Sequence, residues 1–221
     1  MSASATALAG LLSARRPGAA AQLLGEATLD GVSAFDRVAF ELAFAALGRR
    51  LGETPLGEDA VATDGAAQTW SIAGWGLDEL GRALLVVAST SQVPFDEHPS
   101  WVDGLHRAGA LRERQAIVRT LALLPEPARF LPIALDACRS STQPVFEAIA
   151  CENPYPAAYF PEASFNQMAL KAVFTGVALA RILGLASRRT PELARMAADY
   201  ADERRAAGRP VPSDLGDLIA T

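Results

Sequence analysis

Residues 144–181, PVFEAIACENPYPAAYFPEASFNQMALKAVFTGVALAR, decide how the chain is read. Pro144 suits the first turn of a helix that carries Val145, Phe146, Ala148, Ile149 and Cys151, and the run NPYP ends it. A second helix is predicted from Pro161 or Glu162 to about Leu183. Phe165, Met168, Ala169, Ala172, Val173, Gly176, Ala180 and Leu183 form its seam, and Leu170, Phe174, Val177 and Leu179 cover much of the rest. A helix apolar nearly all round belongs at the centre of a fold. Ala172, Gly176 and Ala180, spaced by four, would let a neighbouring backbone approach closely.

The same kind of pattern continues on both sides. Downstream, Thr190 caps a helix with Pro191 in its first turn, and Gly208 ends it. Upstream, Pro127 opens a helix to Arg139, and Leu111 to Leu124 form another that Pro125 closes. LLVVAS, from Leu84 to Ser89, has four apolar residues in a row and suits either period, but the preceding DELGRA favours a helix. The stretch up to Leu51 reads as a helix pressed between two neighbours, with Asp30 or Ser33 as its cap, Phe35, Ala39, Leu42, Ala43 and Ala46 on one side, and Phe40, Phe44 and Leu47 widening the stripe. No glycine-rich phosphate loop follows a strand, and no β-ladder is credible. The fold class is therefore all-α, with roughly eight to eleven helices. They are expected as antiparallel hairpins stacked in a HEAT-like right-handed superhelix, or as a compact multi-helix bundle. Residues 1–221 read as a single helical domain. Within it an N-terminal subdomain (1–52), a mobile loop (53–65) and a main helical body (66–221) are the natural divisions.

Composition narrows the function. The net charge of −5, a single lysine and scattered arginines exclude a nucleic-acid footprint. Two cysteines, Cys138 and Cys151, form neither a disulfide framework nor a zinc spacing, and no cofactor or metal is expected. The opening MSASATALAGLLSARRPG places its arginines after the apolar run, the wrong order for a signal peptide. The most apolar stretch, Ala169 to Ala186, contains Lys171 and Arg181 and reads as a core helix, not a membrane span. A soluble cytoplasmic protein is the expectation.

The candidate site residues cluster in the opening stretch: Glu147, Cys151, Glu152, Asn153, Tyr155, Asn166, Gln167 and Lys171. Lys171 lies mid-helix among apolar neighbours, in a polar line with Gln167 and Thr175. A buried ammonium must be paired or lose its proton. It is either an anion or carbonyl contact in a pocket, or a structural partner of Glu147 or Glu152, or a chain reaching to solvent. Glu147 and Cys151 share a helix face, but no histidine is near enough in sequence to complete a nucleophile-and-base set. Asn153 to Pro156 read as a rigid corner held by the Asn153 amide, either purely architectural or one wall of a ligand site. Asn166 and Gln167 sit in the first two turns of the long helix, where polar side chains complete a cap. His98 and His106 lie among acids in what reads as a plain acidic segment.

The run from Arg129 to Leu185, followed by TPELARMAADYADERRAAGRPVP, resembles the EboA-like family. Cys151–Pro156, Phe165–Met168, Leu170–Ala172 and Phe174 carry the resemblance, which is good over roughly Leu111 to Ile219 and weaker before. Members belong to a bacterial gene cluster implicated in moving a natural-product precursor from cytoplasm to periplasm. The resemblance thus implies a role in metabolite traffic beside enzymes and a membrane protein of the same cluster. It carries over no catalytic residue. The expected function is a non-catalytic binding or adaptor protein for the metabolite precursor, with a cryptic enzyme using Glu147 or Glu152 with Lys171, or a helical scaffold for protein contact, as the alternatives.

Overall fold

The computed structural model of the chain describes residues 1–28 and 35–219. Among them are twelve α-helices: α1 (Ala3–Arg15), α2 (Ala19–Thr28), α3 (Arg37–Leu51), α4 (Leu77–Ser89), α5 (His98–Ala108), α6 (Leu111–Thr120), α7 (Leu131–Arg139), α8 (Gln143–Ala150), α9 (Tyr155–Tyr159), α10 (Glu162–Thr175), α11 (Pro191–Ala206) and α12 (Leu215–Ile219). The protein is all-α and compact. Its helices α2, α4, α6 and α8 neighbour one another in a row, while α3 packs on α4, α5 on α6 and α7 on α8. One apolar core runs through the whole, from Ala5 to Leu218.

The central helix is α4, not the long helix the sequence puts forward. All thirteen of its residues are buried, including Asp78, Glu79, Arg82 and Ser89. It touches α1, α2, α3 and α6. Gly81 makes part of this possible, since a Cβ there would run into Leu51 of α3. Reading LLVVAS as helix agrees with the structure.

The long helix ends early. Gly176 adopts a left-handed conformation (φ 74°, ψ 22°) and its N–H bonds back to the last turn, so α10 stops at Thr175. Ala180 therefore belongs to a short 3-10 turn, Leu179–Arg181. The Ala172–Gly176–Ala180 spacing is not a helix-packing stripe, and nothing lies within 4 Å of where a Gly176 Cβ would stand. The glycine terminates the helix instead of admitting a neighbour.

Three further expectations are corrected. A two-stranded antiparallel hairpin is present, β1 (Val61–Thr63) and β2 (Thr69–Ser71), paired Val61↔Ser71, Ala62↔Trp70 and Thr63↔Thr69. The Gly52–Gly65 stretch before and through it places Leu56, Ala60 and Ala62 in the core. Single apolar residues between glycines carry no period, which is why the pairing escapes a pattern search. The α3 helix is capped by Asp36, whose Oδ1 accepts from the Ala39 N–H at 3.0 Å; the expected caps Asp30 and Ser33 lie outside the described residues. It buries Phe40, Phe44, Leu47 and Leu51, while Leu42 is 69% exposed. It is a surface helix with one buried face.

His98 and His106 sit on a helix and are both buried, not in an acidic loop. His98 Nε2 bonds the Thr90 and Val93 carbonyls at 3.0 and 3.1 Å. Neither ring nitrogen of His106 has a partner among the described residues. Burial, with Arg114 next and Arg107 adding to it against the opposing Asp136 and Asp103, holds its pKa below the ordinary 6.5. As pH falls below 6.5, the unfolded chain therefore takes up this proton before the folded one, and stability declines with pH. Substituting His106→Phe should flatten the fall in unfolding free energy between pH 7 and 5, as measured by urea titration at several pH values. A variant slope equal to that of the wild type would refute the assignment.

A cleft beside a buried ion-pair network

The N-terminal turn of α4 gathers charge that its apolar surroundings must neutralise. Gly76 precedes it, and the Gly76 N–H donates to Glu79 Oε2 at 2.8 Å. Arg82, one turn on, reaches back to Asp78 Oδ2 at 2.6 Å, the i,i+4 geometry of a helix. Two arginines spaced by seven on α6 then face the same acids. Arg112 places its Nε and Nη2 on Asp78, and Arg119 Nη1 bonds both oxygens of Glu79 at 2.6 Å. A Cβ at position 76 would collide with Arg112 and with Asp78, so the absent side chain of Gly76 leaves the room this network needs. From sequence, Asp78 and Glu79 read only as acids near the positive end of this helix, and Arg82, Arg112 and Arg119 were passed over. The signals were there: Asp78 and Arg82 four apart inside an apolar helix, and Arg112 and Arg119 seven apart on α6.

The cleft opens where this network meets the corner after α8. About 300 Å³ in volume, it is lined by Ser71, Ile72, Ala73, Gly74, Trp75, Arg119, Cys151, Glu152 and Arg181. The Arg119 guanidinium lies 6.0 Å from the Trp75 ring. Arg181, on the turn after α10, bonds Glu152 through Nε (2.8 Å) and Nη2 (3.0 Å) and Glu147 through Nη1 (2.7 Å). The Glu152 N–H donates to the Arg181 carbonyl at 2.9 Å, with Glu152 held at φ 46°, in the left-handed region. Two guanidiniums and one carboxylate thus face the cleft.

Of the residues picked from sequence, Glu147, Cys151 and Glu152 come together here. Burial alone would raise the Glu147 carboxyl, but the bonds from Arg181 and Gln143 hold it below its ordinary value. Burial pushes the Cys151 thiol up to about 11, so it is protonated at neutral pH and is a poor nucleophile.

Asn153 and Tyr155 are buried and committed to the corner itself. Asn153 Nδ2 donates to the Ala148 carbonyl at 2.9 Å, its Oδ1 accepts from the Tyr155 N–H at 3.0 Å, and the Tyr155 hydroxyl donates to the Pro127 carbonyl at 2.6 Å. Burial raises the Tyr155 phenol.

Lys171 is elsewhere, and neither Glu147 nor Glu152 is its partner. Its Nζ donates to the carbonyls of Cys138 and Ser140, both at 2.7 Å, and sits 4.5 Å over the Phe146 ring. The ammonium thus closes the negative end of α7, a position that favours a cation. A separate hollow of about 260 Å³ adjoins it, with Gln167 and Met168 in its wall. Asn166 is buried on α10, and its Oδ1 has no partner among the described residues. The larger hollow of about 360 Å³, between the start of α1, the hairpin loop and Pro125–Pro127, offers two acids and no base. Among the described residues no group of three His, Cys, Asp or Glu side chains is placed to hold a metal ion, and no helix is long and apolar enough to cross a membrane.

The fold and the cleft define a helical protein with a set of buried arginine–carboxylate bonds beside a lined cavity. The chain belongs to the EboA family, described as metabolite traffic protein EboA, whose family model matches residues 19–220. The match thus takes in the N-terminal half as well. Comparison with curated proteins and with solved structures returns no match.

Removing one partner from the α4 network leaves charge uncompensated in the core. Asp78→Ala, which strands Arg82, should cost about 3–5 kcal/mol in urea unfolding. A loss under about 1 kcal/mol would show the pair is not holding the helix.

Proposed function

We propose that this protein is a non-catalytic binding or adaptor protein that holds a small secondary-metabolite precursor in the Trp75–Arg119–Glu152–Arg181 cleft, in traffic toward the periplasm. The observation that carries this reading is the cleft itself, which assembles the largely apolar Ser71–Trp75 segment, two arginines and a glutamate from four separate segments. The family description as a metabolite traffic protein agrees with it. The protonated Cys151 and the arginine-bound Glu147 and Glu152 favour binding over catalysis at this place. A cytoplasmic location, and enzymes or a membrane protein of the same gene cluster as partners, complete the proposal on the strength of the resemblance.

Gly74 supplies the test, because no atom lies within 4 Å of where its Cβ would stand and a longer side chain can enter the cleft without a clash. Gly74→Leu should keep wild-type stability to within about 0.5 kcal/mol, as expected of a surface change. It should also strip the protein of small molecules that co-purify with the wild type in native mass spectrometry. An unchanged set of bound molecules would overturn the cleft.

A second reading, a scaffold for protein contact, is favoured by one observation. Val38 and Leu42, four apart on the outer face of α3, are 67% and 69% exposed. On this reading Val38→Glu with Leu42→Glu abolishes metabolite output in a complemented deletion strain while the bound molecules stay unchanged. Wild-type output from that double variant would dismiss the scaffold.

A further inference from the structure

The arginines of this region differ in how they use their donors. The Nε–H and one Nη2–H of a guanidinium form a parallel fork that matches the two oxygens of a carboxylate or phosphate. Arg112 sets that fork on Asp78, and Arg181 sets its own on Glu152. Arg119 does not. It bonds Glu79 through Nη1 alone, which leaves Nε and Nη2 with no acceptor among the described residues. These two atoms are not shut away with the buried unpartnered groups such as Arg82 Nε, although the side chain as a whole is only 16% exposed. They belong to a residue of the cleft wall.

No neighbouring acid remains to take them. Both oxygens of Glu79 are already bonded, Glu152 gives both of its own to Arg181, and Glu147 divides its pair between Arg181 and Gln143. A donor pair that opens on a cleft exchanges its water for a ligand that supplies two oxygens in one plane, and the bidentate, charge-assisted contact favours that exchange. The Ile72–Trp75 segment lines the same cavity beside it and can meet the apolar part of such a ligand.

We infer that the ligand of this cleft carries an oxyanion, a carboxylate or a phosphate monoester, gripped by the Nε/Nη2 edge of Arg119, with its apolar part against the Ile72–Trp75 segment. The inference rests on the cleft reading above and names the chemical class that cleft selects.

Three probes test it by calorimetric titration of the full chain: benzoate, phenyl phosphate and the neutral isostere benzamide. At least one anion should bind, with benzamide at least about tenfold weaker, the scale of one charge-assisted contact. The tighter of the two anions identifies the source of the oxyanion. Arg119→Lys keeps a cation opposite Glu79 but has no planar fork, and should weaken anion binding about tenfold or more. Benzamide binding as tightly as the anions, or wild-type affinity in Arg119→Lys, overturns the oxyanion class. So does the absence of any response to either anion. The cleft reading falls separately, and only if Gly74→Leu retains its bound metabolites. The benzoate–benzamide comparison on the wild type decides the matter by itself should the lysine variant fail to fold.

Discussion

The structure depends on neutralising two carboxylates inside a fully buried helix. Asp78 and Glu79 open α4 in a place with no access to water, where an ionised group without partners would be prohibitive. Three arginines answer them, one from α4 and two from α6. That demand fixes how α6 lies against α4, since Arg112 and Arg119 must both reach the same turn. It also holds the Gly74–Gly76 segment in place, because the Gly76 N–H is tied to Glu79 and the Trp75 ring is covered by Arg119. The cleft borders this arrangement, since Arg119 belongs to the network and to the cleft wall and the Ser71–Trp75 segment beside it lines the same cavity.

A second arginine, Arg181, does comparable work at the opposite wall. It joins the turn after α10 to the corner after α8 through Glu147 and Glu152 and through a main-chain bond to Glu152. Glu152 is held in a left-handed conformation that costs a non-glycine residue of the order of 1 kcal/mol or more. The fork on Arg181 offsets that cost. Strain and salt bridge thus occur together at the edge of the cavity. Lys171, by contrast, serves the end of α7 and lies over the Phe146 ring of α8.

Much of the fold could be read from residue order alone. The α11 start at Thr190–Pro191, the α8 start near Pro144, the helical reading of LLVVAS and the stiff corner at Asn153–Pro156 each follow from local chemistry: caps, fixed φ angles and side-chain amides act over a few residues. What failed was anything requiring a decision between uses of the same residue. Gly176 can pass two helices or end one, and its left-handed φ is a property of the folded chain. The hairpin of residues 61–71 lacks periodicity because each strand is three residues long. The candidate site was half legible for the same reason. Glu147, Cys151 and Glu152 stand out on one short helix and corner, and of these Cys151 and Glu152 line the cleft while Glu147 holds Arg181. Arg119, Trp75 and Gly74 lie 32 or more residues earlier in the chain than Cys151 and enter the cavity only through the contact of α6 with α4 and α8.

By itself, the order of residues determined the class of the fold, the positions of most helix ends and membership of a metabolite traffic family, because these rest on short-range backbone preferences and on motif residues next to one another. Which helix lies at the centre, which cation meets which acid and where a cavity opens were decided only in the tertiary structure. Charge pairing across helices depends on the distance between side chains in space, and a carboxylate in sequence is compatible with any of the chain's guanidiniums until packing brings one within reach and removes the water from between them.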